Sequence, residues 1–282
     1  LLTLKEYLDP GDGEEEIVFR QIAKVIDGQH RIEGLRNNRG LRKFDVNVSI
    51  FVDMDIADQA YVFSTVNLAQ TKVSKSLVYD LFDLAKTRSP QKTAHNIAVA
   101  LDRTAKSPFL ERIKRLGVST QGRFNETITQ ATFVEALLRY ISENPNADRN
   151  LYLTRKTPTL ISAEEQRKLI FRNMFIREQD LEITDVIWNY FDAVKERWPK
   201  AWVYKGSGLM LNRTNGFRAL MRFLRPAYLR ISTPGEVVES KEFLKVLKRI
   251  DFDDDRFSTD TYLPGSSGES NLFKDLLAAS KL

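Results

Sequence analysis

The sequence predicts a mixed α+β or α/β protein, with a small α/β core over 1–73 and a mainly α-helical portion over 74–282. Three observations carry this. An apolar run over 17–26 stops at Gly28, and Ile32 and Leu35 then recur at helical spacing. Phe44-Asp45-Val46-Asn47-Val48-Ser49-Ile50 alternates apolar and polar with period two, the mark of a strand with one buried face. From Asp55 onward, apolar residues recur at helical spacing behind capping residues, with no internal repeat and no heptad run.

Residues 1–16 read as irregular, with a turn cluster at Asp9-Pro10-Gly11-Asp12-Gly13. One strand or two short ones are expected over 17–26, then a turn at Asp27-Gly28 and a helix from Gln29. That helix should end near Asn37-Asn38-Arg39-Gly40, where Asn and Gly suit a left-handed cap. With 44–50 as the next strand, the stretch reads as a βαβ unit with a right-handed crossover. Asp55 opens a helix to about 69, which places Asn67 on the same face as Ile56, Ala60 and Phe63. A polar amide on a core-facing stripe must find partners. After a short break at Gln70, Ser74 caps a helix over 75–86.

Helices follow over 95–104 and from Ser107-Pro108 to Gly117, the latter with proline at its first position. A polar turn over 120–125 leads to a helix over 128–141 that carries Phe133, Leu137, Leu138 and Ile141 on one side. Residues 144–158 read as a linker or lid. Ser162 and Glu165 form a capping box for a helix to about 177. The next helix, 184–197, is stopped by Pro199, and Trp188, Tyr190, Phe191 and Trp198 belong to the core. A helix over 217–224 has one apolar stripe (Phe217, Leu220, Met221, Leu224), with Arg218, Arg222 and Arg225 in a row beside it. Pro264-Gly265-Ser266-Ser267-Gly268 is a turn before a last helix over 271–279.

A hydrophobic fraction of 42% is enough for a real core. No apolar run is long enough to span a membrane, and no signal-peptide pattern is seen. The chain begins with Leu1 rather than Met, which leaves open that it is a fragment. Zero cysteines exclude disulfides and thiolate metal sites and fit a cytoplasmic protein. Two histidines argue against a multi-histidine zinc site. The net charge of +5 is unevenly spread. Residues 85–123 hold nine Lys/Arg against Asp102 and Glu111, and residues 201–235 hold six with no acid. Two basic segments point to a polyanion, with DNA favoured over a membrane.

A strand that turns sharply into a helix aims free N–H groups and a positive dipole end at whatever lies above the turn, which makes an anion site. Here the first helical turn adds Gln29, His30 and Arg31, the last a cation whose planar fork suits phosphate. Asp27, at the strand's tip, is placed to hold a metal-bound water or to orient His30. The alternative is a strand–helix turn whose polar residues only cap the helix.

Asp27-Gly28-Gln29-His30-Arg31 resembles the signature of the DGQHR-domain (DndB-like) family. More distantly it is similar to the phosphate-binding boxes of ParB/sulfiredoxin-like and GmrSD-type proteins. Phe63, Asn67, Gln70, Val73 and Ser74 resemble the second element of that family. Asn212 to Leu220 and the Gly265–Gly268 turn resemble its C-terminal part. The resemblance implies a ParB-like core that binds a nucleoside triphosphate, ATP or GTP, through Gly28, Gln29, Arg31, Asn67 and Gln70. Ser266 and Ser267 would complete the pocket. It also implies a cytoplasmic protein of DNA-modification or phage-defence systems, with system proteins or a second copy as partners. Asp27 and His30 would be the catalytic pair if hydrolysis occurs, with Asp27 as the candidate Mg2+ ligand. Sulfiredoxin-type chemistry is excluded, because its catalytic cysteine has no counterpart.

For DNA, Arg213, Arg218, Arg222 and Arg225 form the expected contact row; the bland alternative pairs that helix with the acids over 251–255. Two further function classes stay open. One is a non-enzymatic DNA-binding transcriptional regulator. The other is a ParB-like nuclease, against which stands the lack of a clustered metal motif.

Overall fold

The computed structural model describes residues 23–37, 46–52, 54–67 and 74–282. The protein is mostly helical. Its described strands are β1 (Ile113–Lys114) and β2 (Ile128–Thr129), which pair in parallel, Ile113 with Ile128 and Lys114 with Thr129.

Near the N-terminus lie α1 (Gln29–Asn37) and α2 (Ile56–Asn67). The Asp55 carboxylate accepts from Asp58 N at 2.8 Å, which caps α2 as its position predicts. The strand expected over 44–50 is not formed by its described residues. Val46, Val48 and Ile50 run as irregular chain, 52%, 73% and 81% exposed. An alternating pattern makes a strand only where a neighbouring edge takes its ladder and a layer covers one face; neither reaches 46–50 among the described residues. Residues 23–26 are irregular too, and the rest of the expected first strand, 17–22, lies outside the described residues.

Next come α3 (Lys75–Leu81), with a 3-10 turn over Phe82–Leu84, and α4 (Pro90–Arg103). Ser89 Oγ accepts from Lys92 N at 3.1 Å with Pro90 in the first turn, so α4 starts earlier than its apolar spacing suggests. The helix expected after Ser107-Pro108 is a correction. Ser107 Oγ accepts from Phe109 N, but only turns follow, and the chain enters β1. The reason is tertiary: Phe109 is fully buried, and the Asp102 carboxylate takes Ile113 N at 3.0 Å, which holds this stretch extended.

Beyond β2, α5 (Gln130–Ile141) is capped by Thr129. The expected linker over 144–158 is instead built structure. Its α6 (Pro145–Leu153) is capped by Asn144 and fixed by a buried ion pair between Asp148 and Arg172. The Ser162/Glu165 capping box forms, but α7 (Ala163–Gln166) is a single turn; α8 (Arg172–Ile176) follows after a break. Then come α9 (Asp180–Arg197), α10 (Pro199–Val203), α11 (Thr214–Ile231), α12 (Ser240–Leu247) and α13 (Ser266–Ser280). α11 is much longer than expected and runs through Pro226.

The core is organised around rings from four helices and the turn before β1. Phe109 meets Phe133 (5.4 Å), Phe191 (4.7 Å) and Trp202 (5.6 Å), and Phe217 stacks on both Phe133 and Phe191. Such contacts add roughly 0.5–1.5 kcal/mol each beyond area burial. The polar tips are satisfied by backbone: Tyr140 donates to Met221 O (2.7 Å), Tyr190 to Leu220 O (2.8 Å) and Trp202 to Pro108 O (3.1 Å). The first two bonds tie α5 and α9 to α11, and the third ties α10 to the turn before β1. Gly216 makes the close approach possible, because a Cβ there would lie 2.3 Å from the carbonyl oxygens of Met210 and Leu211.

Candidate functional site

Gly28 adopts φ +96°, and the bend over Ile26 and Asp27 feeds directly into α1, whose first helical bond runs from Ile32 N to Gly28 O at 3.0 Å. The N–H groups of Gln29, His30 and Arg31 are therefore free of the helix. Gln29 Nε2 donates to Val25 O at 2.9 Å and latches the turn. The structure brings together Asp27 and Arg31, Oδ2 to Nη2 at 3.4 Å, rather than Asp27 and His30. Arg31 is 78% exposed, so this i,i+4 pair is worth a few tenths of a kcal/mol, and an incoming phosphate displaces it at little cost. The turn is open: among the described elements, none packs along α1.

That geometry can bind an anion. Among the described residues no three His, Asp or Glu side chains gather, and the Asp27 carboxylate faces the Arg31 guanidinium, so a Mg2+ ion there would have to be held mainly by nucleotide phosphates and water, with Asp27 as its candidate protein ligand. Asn67 closes α2, on a helix whose Ile56 and Phe63 are 60% and 40% exposed. The core-facing stripe expected there is thus not a core face. Gln70 lies outside the described residues. Ser266 and Ser267 open α13 and are exposed; the carbonyl of Gly265 accepts from Asn215 Nδ2 at 3.0 Å, so they sit beside the start of α11.

The arginine row lies on α11 as its spacing predicts, but its ion pairs are not with the acids over 251–255. Arg218 lies 3.8 Å from Glu135, whose other oxygen takes Lys75 Nζ at 2.7 Å. Arg222 lies 3.4 Å from Glu269 and 4.3 Å above the Phe273 ring. Arg213 precedes the helix and donates to Gly206 O. Arg225 has no ion-pair partner among the described residues. The acids expected as partners are taken elsewhere: Asp255 pairs with Lys200, and Asp254 accepts from Ala201 N.

Sequence reasoning missed Arg139. On α5 it shares a niche of about 20 Å³ with Arg218 and Arg222, closed by Glu135, Tyr140 and Met221. Three arginines against the single carboxylate of Glu135 leave this water-sized niche net positive, which suits an oxyanion. Burial pushes the neighbouring Tyr140 hydroxyl up to about 12, so it stays a neutral donor to Met221 O. The available signal was the exposed slot of Arg139 on an amphipathic helix, but only the packing of α5 on α11 joins it to the row.

The other basic segment, 85–123, is largely consumed by the fold. Arg88 forks onto Asp180 (2.6 and 2.8 Å), Arg112 donates to Trp202 O (3.0 Å), Arg115 pairs with Asp80 (2.6 Å) and Arg123 with Asp102 (2.7 Å). Burial alone would lower the Arg88 pKa, yet the Asp180 carboxylate more than offsets it.

No described helix is long and apolar enough to cross a membrane. The chain is a mostly helical α+β protein with an arginine-bearing face and an open glycine turn. Comparison with known protein families, curated proteins and solved structures finds no match.

Proposed function

We propose that the chain is a DNA-associated, nucleotide-binding protein of the DGQHR-domain kind, acting in bacterial DNA modification or phage defence. The observation that carries the DNA half is the face shared by α11 and α5. Arg218, Arg222 and Arg225 lie along one side of α11 and Arg139 joins them across the niche. A row of exposed or half-exposed arginines tracks a phosphate backbone and positions the protein without reading bases. The nucleotide half rests on the open turn at Gly28, where the free N–H groups of Gln29, His30 and Arg31 take the phosphates of ATP or GTP.

Hydrolysis would use His30 or Asp27 to position water. Mg2+ would be held by the nucleotide phosphates and water with Asp27 as its candidate ligand, and would neutralise phosphate charge. One observation favours a second reading, a non-enzymatic DNA-binding regulator: Asp27 faces Arg31 rather than His30, so the two groups expected to position water are not assembled at the turn. Calorimetric titration with ATP and GTP, run beside fluorescence anisotropy on duplex DNA, separates the two. Binding of both ligands supports the first reading, DNA alone supports the second, and neither removes both.

A further inference from the structure

The C-terminal halves of α11 and α13 leave a groove of about 410 Å³ that the DNA-contacting row does not use, except at Arg225. This is within the roughly 300–1,000 Å³ of ligand clefts. The two helices run in parallel, Asn215 against Gly265 at one end and Arg222 against Glu269 further along. On α11, Pro226 and Leu229 line the groove; on α13, Phe273 and Leu277 do, with Leu282 beyond them. Three arginines stand around this apolar floor: Arg225 and Arg230 from α11, and Arg167 from the turn before α8.

None of the three has an ion-pair partner among the described residues. The acids on α13 are engaged elsewhere, Glu269 with Arg222 and Asp275 with Arg256 and Tyr262. The groove therefore combines uncovered apolar surface with uncompensated positive charge. A nucleic-acid backbone would use the charge and waste the floor. Stacking of bases is closed off as well, since Arg222 covers the Phe273 ring. A lipid surface could pair the arginines with headgroup phosphates, but a flat bilayer would not fill a groove between two helices. What satisfies both is an extended or helical protein segment with bulky apolar side chains set among carboxylates.

We propose that this groove docks such an acidic, apolar segment of a partner protein, with the apolar side chains on Leu229 and Leu277 and the carboxylates on Arg167, Arg225 and Arg230. The inference does not depend on DNA or nucleotide binding.

The probe is a short fluorescein-labelled peptide in which Leu and Phe alternate with Asp and Glu, titrated against the full chain by anisotropy. Two comparator peptides replace Leu and Phe by Ser, or Asp and Glu by Asn and Gln. Binding of the probe, weakened about tenfold or more by either comparator and by Arg167→Glu, is the expected result. Arg167 is exposed, so its variant should keep the wild-type circular dichroism and melting. A benzophenone in place of the probe's Phe should cross-link to α11 or α13, and cross-links elsewhere overturn the proposal. It also falls if the probe does not bind, or if the Ser comparator binds as well. Displacement of the probe by duplex DNA, with Arg167→Glu weakening both alike, would reassign these arginines to the polyanion face and overturn it too.

Discussion

The carboxylate of Asp102, fully buried, takes Arg123 Nη1 at 2.7 Å on one oxygen and Ile113 N at 3.0 Å on the other. This single group, in the last turn of α4, sets β1 in place and anchors the polar turn that leads to β2. A paired buried charge adds little net stability, but removing one partner strands the other. Asp102→Ala should cost about 3–5 kcal/mol, read from urea unfolding at neutral pH. A loss below about 1 kcal/mol would mean that the stretch is held by Phe109 packing alone.

His95 should make the fold sensitive to mild acid. Its ring is fully buried on α4, with Nδ1 2.9 Å from the Gln130 amide and Nε2 4.0 Å from Asp83. Burial lowers its pKa below the ordinary 6.5; Asp80 and Asp83 favour protonation, and Arg115 and Arg103 oppose it. The unfolded chain thus binds the proton more readily, so stability is full above about 6.5 and falls as pH drops below it. Melting temperature followed down from neutral pH should decline in wild type and flatten in His95→Gln.

At the glycine turn, Arg31→Ala should weaken nucleotide binding by ~1.5 kcal/mol, the low end for a charge-assisted contact, because the turn is open to water. Asp27→Asn releases Arg31 and should bind nucleotide at least as tightly as wild type, while losing any hydrolysis. Calorimetry on both variants decides; unchanged affinity in Arg31→Ala would remove the phosphate assignment.

For DNA, the cleanest probes are Arg139 and Arg225, since neither has an ion-pair partner among the described residues, whereas Arg222 also packs on Phe273. Replacing both by Gln should flatten the log–log salt dependence of duplex binding by about two units. Base preference should survive, because phosphate contacts carry no sequence information. An unchanged slope in a salt titration of anisotropy would take the DNA surface away from α11.

The sequence by itself determined what is encoded within about one helical turn. The glycine turn and the start of α1, the Asp55 cap, the Ser162/Glu165 box and the apolar stripe of α11 all appear where the residues predict them. So do the free N–H groups of the candidate anion site, which follow from Gly28 and the helix start alone. Only the tertiary structure decided the rest. Whether Val46, Val48 and Ile50 make a strand depends on an edge elsewhere, and whether residues 144–158 are a linker depends on Arg172 reaching Asp148. Charge is the sharpest case. Arg88 and Arg225 look alike in sequence, but Arg88 meets Asp180, 92 residues away, and Arg225 meets no carboxylate among the described residues. A cation's availability is a property of its long-range neighbours, because Coulomb attraction acts through space and not along the chain.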